Sequence, residues 1–234
     1  MEILEKFLSN YTLITILLFA AMIYAAVASA KVKSTFHKYN QLYVSSKICA
    51  CDAARQILDL NGLYDVQVIR VAGNLTDHYD PKKNIIALSD SVYGSASVGA
   101  IGVAAHECGH AVQHAVGYGP IKLRNLFVPV VNICSKAWVW VFMIGCAFGS
   151  LQLAEVGIVF FAVVVLFQLL TLPVEFNASN RAIDTLIKTG ILYGEEVKGA
   201  RKVLKAAAMT YVASLLVSIM QLLRLISSTR RRRN

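Results

Sequence analysis

The chain has 234 residues, of which 56% are apolar and only 16% charged, against roughly 25% charged in an ordinary globular domain. That composition excludes intrinsic disorder, which needs little hydrophobicity and much charge, and argues against a fully soluble protein. The net charge of +9 calls for an anionic partner, and in so apolar a chain lipid is a better partner than nucleic acid.

Residues 11–30 run for twenty positions without a charge, enough at about 1.5 Å per residue to cross a hydrocarbon core of about 30 Å. Lys31, Lys33 and Lys38 follow, so the N-terminus is expected outside and the chain enters the cytoplasm there. A cleaved signal peptide is the competing reading, because Ala28-Ser29-Ala30 looks like a cleavage site. The leading residues are not basic and the apolar run is too long for a signal core, so 1–30 is read as an N-terminal membrane anchor.

Residues 31–125 form a polar segment. Apolar positions recur at helical spacing from 45 to 60, with Asn61-Gly62 as the stop. Residues 66–72 alternate as a strand does, and 85–88 make a second strand across a polar loop, so 66–88 reads as a small antiparallel ribbon. Ser89-Asp90-Ser91 marks a helix start, and a long helix is predicted over 96–116, closed by Gly117-Tyr118-Gly119-Pro120. The five cysteines are too few for a disulfide scaffold, and Cys49-Ala50-Cys51 lacks the spacing of a redox or zinc-knuckle pair.

Residues 126–172 are predicted to cross the membrane and return as a helical hairpin broken near Gly149-Ser150. Trp138 and Trp140 suit an interface, Lys136 would snorkel to the surface, and Glu155 falls near the far side. A second polar segment covers 173–205. The last apolar stretch, 206–223, precedes Arg224 and the run Arg230 to Arg233, so 206–234 forms a membrane or interfacial helix with a basic tail. If it spans, four arginines end outside against the usual bias; if it lies in the interface, they stay inside. Either way the tail is read as a contact for anionic lipid. Residues 31–125 carry ten lysines and arginines and 176–205 carry six, while the first ten residues carry one. Both polar segments are therefore expected in the cytoplasm, joined by the hairpin.

On the helix over 96–116 stands His106-Glu107-Cys108-Gly109-His110. Residues four apart share a helical face, so both imidazoles can bind one zinc ion. Glu107 is placed to take a proton from water activated by the metal and pass it to a leaving amine. The alternative, a set of hydrogen-bonded core groups, would need partners for three polar side chains in a mostly apolar helix. A catalytic zinc needs a third protein ligand and an open position. No metzincin histidine follows, and His114 lies two turns beyond His106. The best candidate is Glu175, where a span ends and a polar helix begins, with Pro173 suited to the break. Cys108 faces away from the ligands and is read as packing.

HECGHAVQ, LTDHYDP and VEFNASNRA together resemble the YugP-type membrane zinc metallopeptidases, a bacterial family distantly related to HtpX-like and CAAX-prenyl-protease zincins. The resemblance covers nearly the whole chain, including the order of spans. It implies zinc held by His106, His110 and Glu175, with Glu107 as catalytic base. The related zincins carry an aspartate four residues after the third ligand, where this chain has Ser179.

The expected fold is a mainly α membrane protein with transmembrane helices and a cytoplasmic zincin-like catalytic domain. The expected function is metal-assisted hydrolysis of peptide bonds by a multi-pass protein of the cell membrane. Its partners would be the lipid bilayer and a peptide or protein substrate, membrane proteins included, and not nucleic acid. The ribbon would offer an edge to an extended substrate. Tyr211 and Arg181 are candidate oxyanion donors, although Tyr211 serves equally as an interface aromatic. His78 either contacts substrate or a ligand, or belongs to a turn stabilised by Asp77 and Asp80. Rival classes are an intramembrane protease, whose Asn-Pro-Asp-Gly or Leu-Asp-Gly motif is missing, and a zinc-binding scaffold or quality-control adaptor without turnover, which an intact Glu107 argues against.

Overall fold

The computed structural model describes residues 10–233, with side chains as far as residue 231. In chain order the elements are α1 (Tyr11–Asn40), α2 (Ala50–Leu60), β1 (Gln67–Val71), β2 (His78–Asp80), β3 (Ile85–Ser89), α3 (Val98–Ala115), α4 (Gly119–Ala147), α5 (Leu151–Lys188) and α6 (Gly194–Arg233). They divide between two compact units. A helical unit takes the chain up to Ala28, Leu123–Leu172 and the chain from Thr210, and a mixed unit takes Ser29–Lys122 and Pro173–Met209.

The helical unit draws on α1, α4, α5 and α6, each long and apolar enough to cross a membrane. Phe19, Ile23, Leu126, Ile133, Val159 and Leu166 are exposed on these helices. So much outward apolar surface is unfavourable in water and natural against lipid. Inside, Ile158, Phe161, Val165, Leu215 and Leu225 pack together. Trp138 lies on Phe161 at 4.4 Å between ring centres, so it is a packing residue, while Trp140 stays exposed. Gly149, at φ +67°, lets Ser150 return its N–H to the Gly145 carbonyl at 2.8 Å, and this closes α4 before α5 begins. Arg224 donates from Nε to the Tyr11 hydroxyl at 3.1 Å, and Ser228 and Thr229 line a cavity of about 260 Å³ with Gly149 and Ser150. The start of α1, the α4–α5 turn and the end of α6 therefore share one end of this unit.

Two helices run further than their apolar residues. α6 is unbroken from Gly194 to Arg233, because the lysines and arginines of its first half are as good helix formers as the apolar residues that follow. α5 passes through Pro173 to Lys188, so no break separates the span from Glu175. A proline removes one N–H donor and bends a helix as readily as it ends one.

In the mixed unit the expected antiparallel ribbon is a three-stranded sheet of order β1–β3–β2. β1 runs parallel to β3, with Gln67 opposite Ile85, and β2 runs antiparallel to it, with His78 opposite Ala87. Asp77 explains the difference. Its carboxylate accepts from the Ser89 N–H at 2.7 Å and the Ser89 hydroxyl at 3.0 Å, which ties the loop to the end of β3. Asp80 then accepts from the N–H groups of Lys82 and Lys83 at 2.9 and 3.2 Å and turns β2 into β3. Central β3 buries Ile86, Ala87 and Leu88 completely.

α2 begins at Ala50 instead of residue 45. Ser45 is held by Glu196 through its N–H and hydroxyl at 2.9 and 2.6 Å, Lys47 takes a left-handed φ of 56°, and the Cys49 thiol caps the helix by accepting from the Asp52 N–H. α2 buries Ala53, Ala54, Ile57 and Leu58 in a core shared with α3. α3 starts where the buried Ser97 hydroxyl accepts from the Ala100 N–H at 3.2 Å and stops at Gly117, whose φ of +65° a residue with a Cβ resists. Ser97→Ala removes that cap and is expected to cost about 1 kcal/mol, read as a lower thermal unfolding midpoint in detergent that Ser97→Thr largely restores.

Candidate metal centre

His106 and His110 stand one turn apart on α3, their rings edge to face at 4.7 Å between centres. Glu175 faces them from α5. Its Oε2 lies 3.4 Å from His106 Nε2 and 3.7 Å from His110 Nε2, and one donor atom of each residue falls within 4.8 Å of the other two. The two helices approach this closely because of Gly109. A Cβ there would lie 2.6 Å from the carbonyl oxygen of Ala178, three residues after Glu175 on the same helix. His110 and Glu175 are buried, while His106 is partly exposed, so the cluster is reachable from the His106 side.

The donor set fits zinc. Ligands about 2.1 Å from a tetrahedral ion stand about 3.4 Å from one another, which is the spacing of the carboxylate from the two imidazoles. Two imidazoles and a carboxylate also match zinc in chemical type. The outward nitrogens of both rings are held. His110 Nδ1 meets Gln113 Oε1 at 3.0 Å, and His106 Nδ1 meets the Ser179 hydroxyl at 3.2 Å. Ser179, at the place of the aspartate in related zincins, thus keeps a contact to a histidine of the cluster. Gln113 is fully buried; its amide donates to the Val174 carbonyl at 2.8 Å and to Asn177 Oδ1 at 3.0 Å. Arg181 Nε donates to the same Asn177 oxygen at 2.8 Å.

Burial pushes the His110 imidazole down, but the Glu175 carboxylate and the Glu107 charge outweigh it, and the ring titrates above its ordinary value. Burial likewise pushes Glu175 up, and hydrogen bonds from His106 and His110 more than reverse that, so its carboxyl stays well below the usual range. This residue lies beyond the apolar stretch that ends at Leu172. Cys108 is buried with its thiol toward the Ala54 carbonyl at 3.6 Å and is held as the neutral thiol by that burial, in keeping with a packing role.

Among the described residues, neither His78 nor His114 joins this cluster. His114 packs edge-on against Tyr79. His78 opens β2, exposed, with Nδ1 on the Thr76 carbonyl at 3.0 Å. Arg181 is engaged with Asn177, and Tyr211 belongs to the helical unit. Gln113 and Asn177 were not picked out by sequence reasoning, although both stand inside the motifs HECGHAVQ and VEFNASNRA. Cys49, Cys51 and Asp52 form a second group with metal-ligating atoms close together. The two thiols lie 2.6 Å apart, and burial raises Cys51 to about 12. The extended backbone of Cys49 at the start of α2 folds its thiol back over the first turn, which spacing alone does not reveal.

Among the described residues, four helices are long and apolar enough to cross a membrane, and two histidines and a carboxylate form a group that could hold a metal ion, features that suit a membrane-bound zinc hydrolase. The chain belongs to the family described as "Putative neutral zinc metallopeptidase", which it matches over residues 14–230. It is 50% identical over 199 residues to the "Putative membrane protease YugP" of Bacillus subtilis (strain 168), covering 85% of this chain and 88% of that one. No solved structure matches it.

Gly109→Ala is expected to push α3 off Ala178, with at least a tenfold loss of zinc affinity and little loss of helix content. Unchanged affinity would mean that the close approach is not needed. Because His110 must lose its proton to bind a metal and titrates above its ordinary value, zinc affinity should fall on acidification from above pH ~6.5. Binding should release protons, measurable by calorimetry in buffers of different ionisation enthalpy.

Proposed function

We propose that this protein is a membrane-embedded zinc endopeptidase in which His106, His110 and Glu175 hold the metal and Glu107 is the general base. The observation that carries this is the convergence of three donor atoms from α3 and α5, with the Glu175 oxygen 3.4 and 3.7 Å from the two imidazole nitrogens and all three within 4.8 Å of one another. Zinc held there supplies Lewis-acid polarisation of a carbonyl and makes water more acidic. The protein's own residues do the rest. Glu107 is buried, adjacent in sequence to His106, and near enough for its charge to act on His110. It takes the proton of the attacking water and delivers it to the departing amine. His110 and Glu175 are withdrawn from solvent while His106 borders it, so substrate reaches the centre from the His106 side.

β2 is the edge of the sheet next to buried β3, and α3 packs against both strands. An extended substrate added along His78–Asp80 would gain main-chain hydrogen bonds without disturbing the core. His78, exposed at the start of that edge, is the side chain proposed to touch it.

The catalytic unit faces the cytoplasm in this reading. Sixteen of the 23 lysines and arginines lie in residues 31–125 and 176–205, the segments that supply its polar surface, and such residues are retained on the cytoplasmic side. The arginine tail is the minority exception, held at the surface by anionic lipid headgroups.

The test is a pair of variants assayed for zinc and for cleavage of a denatured protein substrate in detergent or liposomes. Glu107→Gln should keep about one zinc per chain and lose at least about 100-fold in activity. Glu175→Ala should lose both. An active Glu107→Gln would contradict the base assignment, and a wild type that holds zinc but cleaves nothing would favour a scaffold.

A further inference from the structure

We infer that Arg181 fixes the tautomer and aim of His110 through a one-directional chain of hydrogen bonds, acting as a positioning residue for the metal centre. The inference rests on the proposed zinc ligands and adds to them a reason why one imidazole presents the correct nitrogen.

The direction of the chain follows from what each group can do. A guanidinium donates hydrogen bonds and cannot accept them. The Asn177 atom that faces Arg181 Nε at 2.8 Å is therefore the oxygen. The Gln113 atom facing that oxygen at 3.0 Å must then be the amide nitrogen. Its other hydrogen goes to the Val174 carbonyl at 2.8 Å, which only accepts. Gln113 Oε1 is left facing His110 Nδ1 at 3.0 Å, so that ring nitrogen carries the proton. Nε2, on the side facing Glu175, is then the nitrogen that gives up its proton and offers its lone pair when a metal binds. Gln113 is fully buried, so no bulk water can substitute for a misplaced partner.

Reversing the chain shows what Arg181 contributes. Without it the Asn177 amide can turn its nitrogen toward Gln113, and the Gln113 amide then turns over in response. His110 would be asked to accept at Nδ1 and to protonate Nε2, the tautomer that cannot bind a metal through the nitrogen facing Glu175. Val174 opposes that flip independently, so loss of Arg181 weakens the centre while loss of Gln113 removes the link entirely. Arg181 also lines a polar cavity of about 200 Å³ with Asp184, Thr185 and Lys188. A small guanidinium can enter that space when the side chain is shortened.

The test measures Zn²⁺ and Co²⁺ affinity of the full-length protein in detergent, by competition with a chromophoric chelator. Wild type, Arg181→Ala, Arg181→Lys, Gln113→Leu and Lys188→Ala are compared. Arg181→Ala is expected to bind about tenfold more weakly and Gln113→Leu up to about 100-fold more weakly, within the range of partners that orient metal-bound histidines. Arg181→Lys should stay close to wild type, because lysine also only donates, and Lys188→Ala should be unchanged. Added guanidinium at low millimolar concentration should restore Arg181→Ala and leave Gln113→Leu weak. Wild-type affinity in Arg181→Ala would overturn the inference while leaving the zinc ligands standing. A weakened Arg181→Ala that neither guanidinium nor the lysine variant recovers would also overturn it, by making the residue merely structural. A wild type that binds neither metal would remove the zinc reading and this inference together.

Discussion

The approach of α3 to α5 at Gly109 is the constraint on which the candidate metal centre depends. With no side chain at that position, the backbone of one helix reaches the Ala178 carbonyl of the other. Two histidines four residues apart can then meet a carboxylate from a helix more than sixty residues away in sequence. Moving the helices apart by the width of a methyl group would take Glu175 out of the range at which one ion can be shared. The same approach brings Gln113 to Val174 and Asn177, so the groups that hold the imidazoles depend on it too. Burial of Glu175 is offset by the two imidazoles beside it, since a buried charge needs a partner.

The surrounding mixed unit keeps α3 where this contact needs it. α2 covers the face of α3 opposite the ligands, with Cys108 against the Ala54 backbone, and β2 and β3 pack on the same helix. Ser97 and Gly117 set its two ends. The helical unit differs in its apolar exterior, which suits lipid, and the related Bacillus subtilis protein is described as a membrane protease.

The central features of the site could be read in the sequence because they follow from local geometry. Helical spacing puts His106 and His110 on one face wherever the helix sits, and a lone carboxylate just past an apolar span is conspicuous. The resemblance to zinc metallopeptidases rests on those same residues, and the family match agrees with it. The features that escaped are tertiary. The parallel pairing of β1 with β3 comes with a loop that Asp77 ties to Ser89, a contact that alternation of apolar residues does not encode. The start of α2 depends on Glu196, far away in sequence. Gln113 and Asn177 are ordinary polar residues until the fold places them between an arginine and a histidine. The continuity of α5 through Pro173 escapes a local reading, since a proline that suits a break stands here inside an unbroken helix.

The most direct measurement is X-ray absorption at the zinc edge on the purified, singly loaded full-length protein. The account requires a first shell of light atoms only, with two imidazoles and a carboxylate at about 2.0–2.2 Å. A sulfur contribution at about 2.3 Å would place the ion at Cys49 and Cys51, and would contradict a metal centre built by α3 and α5.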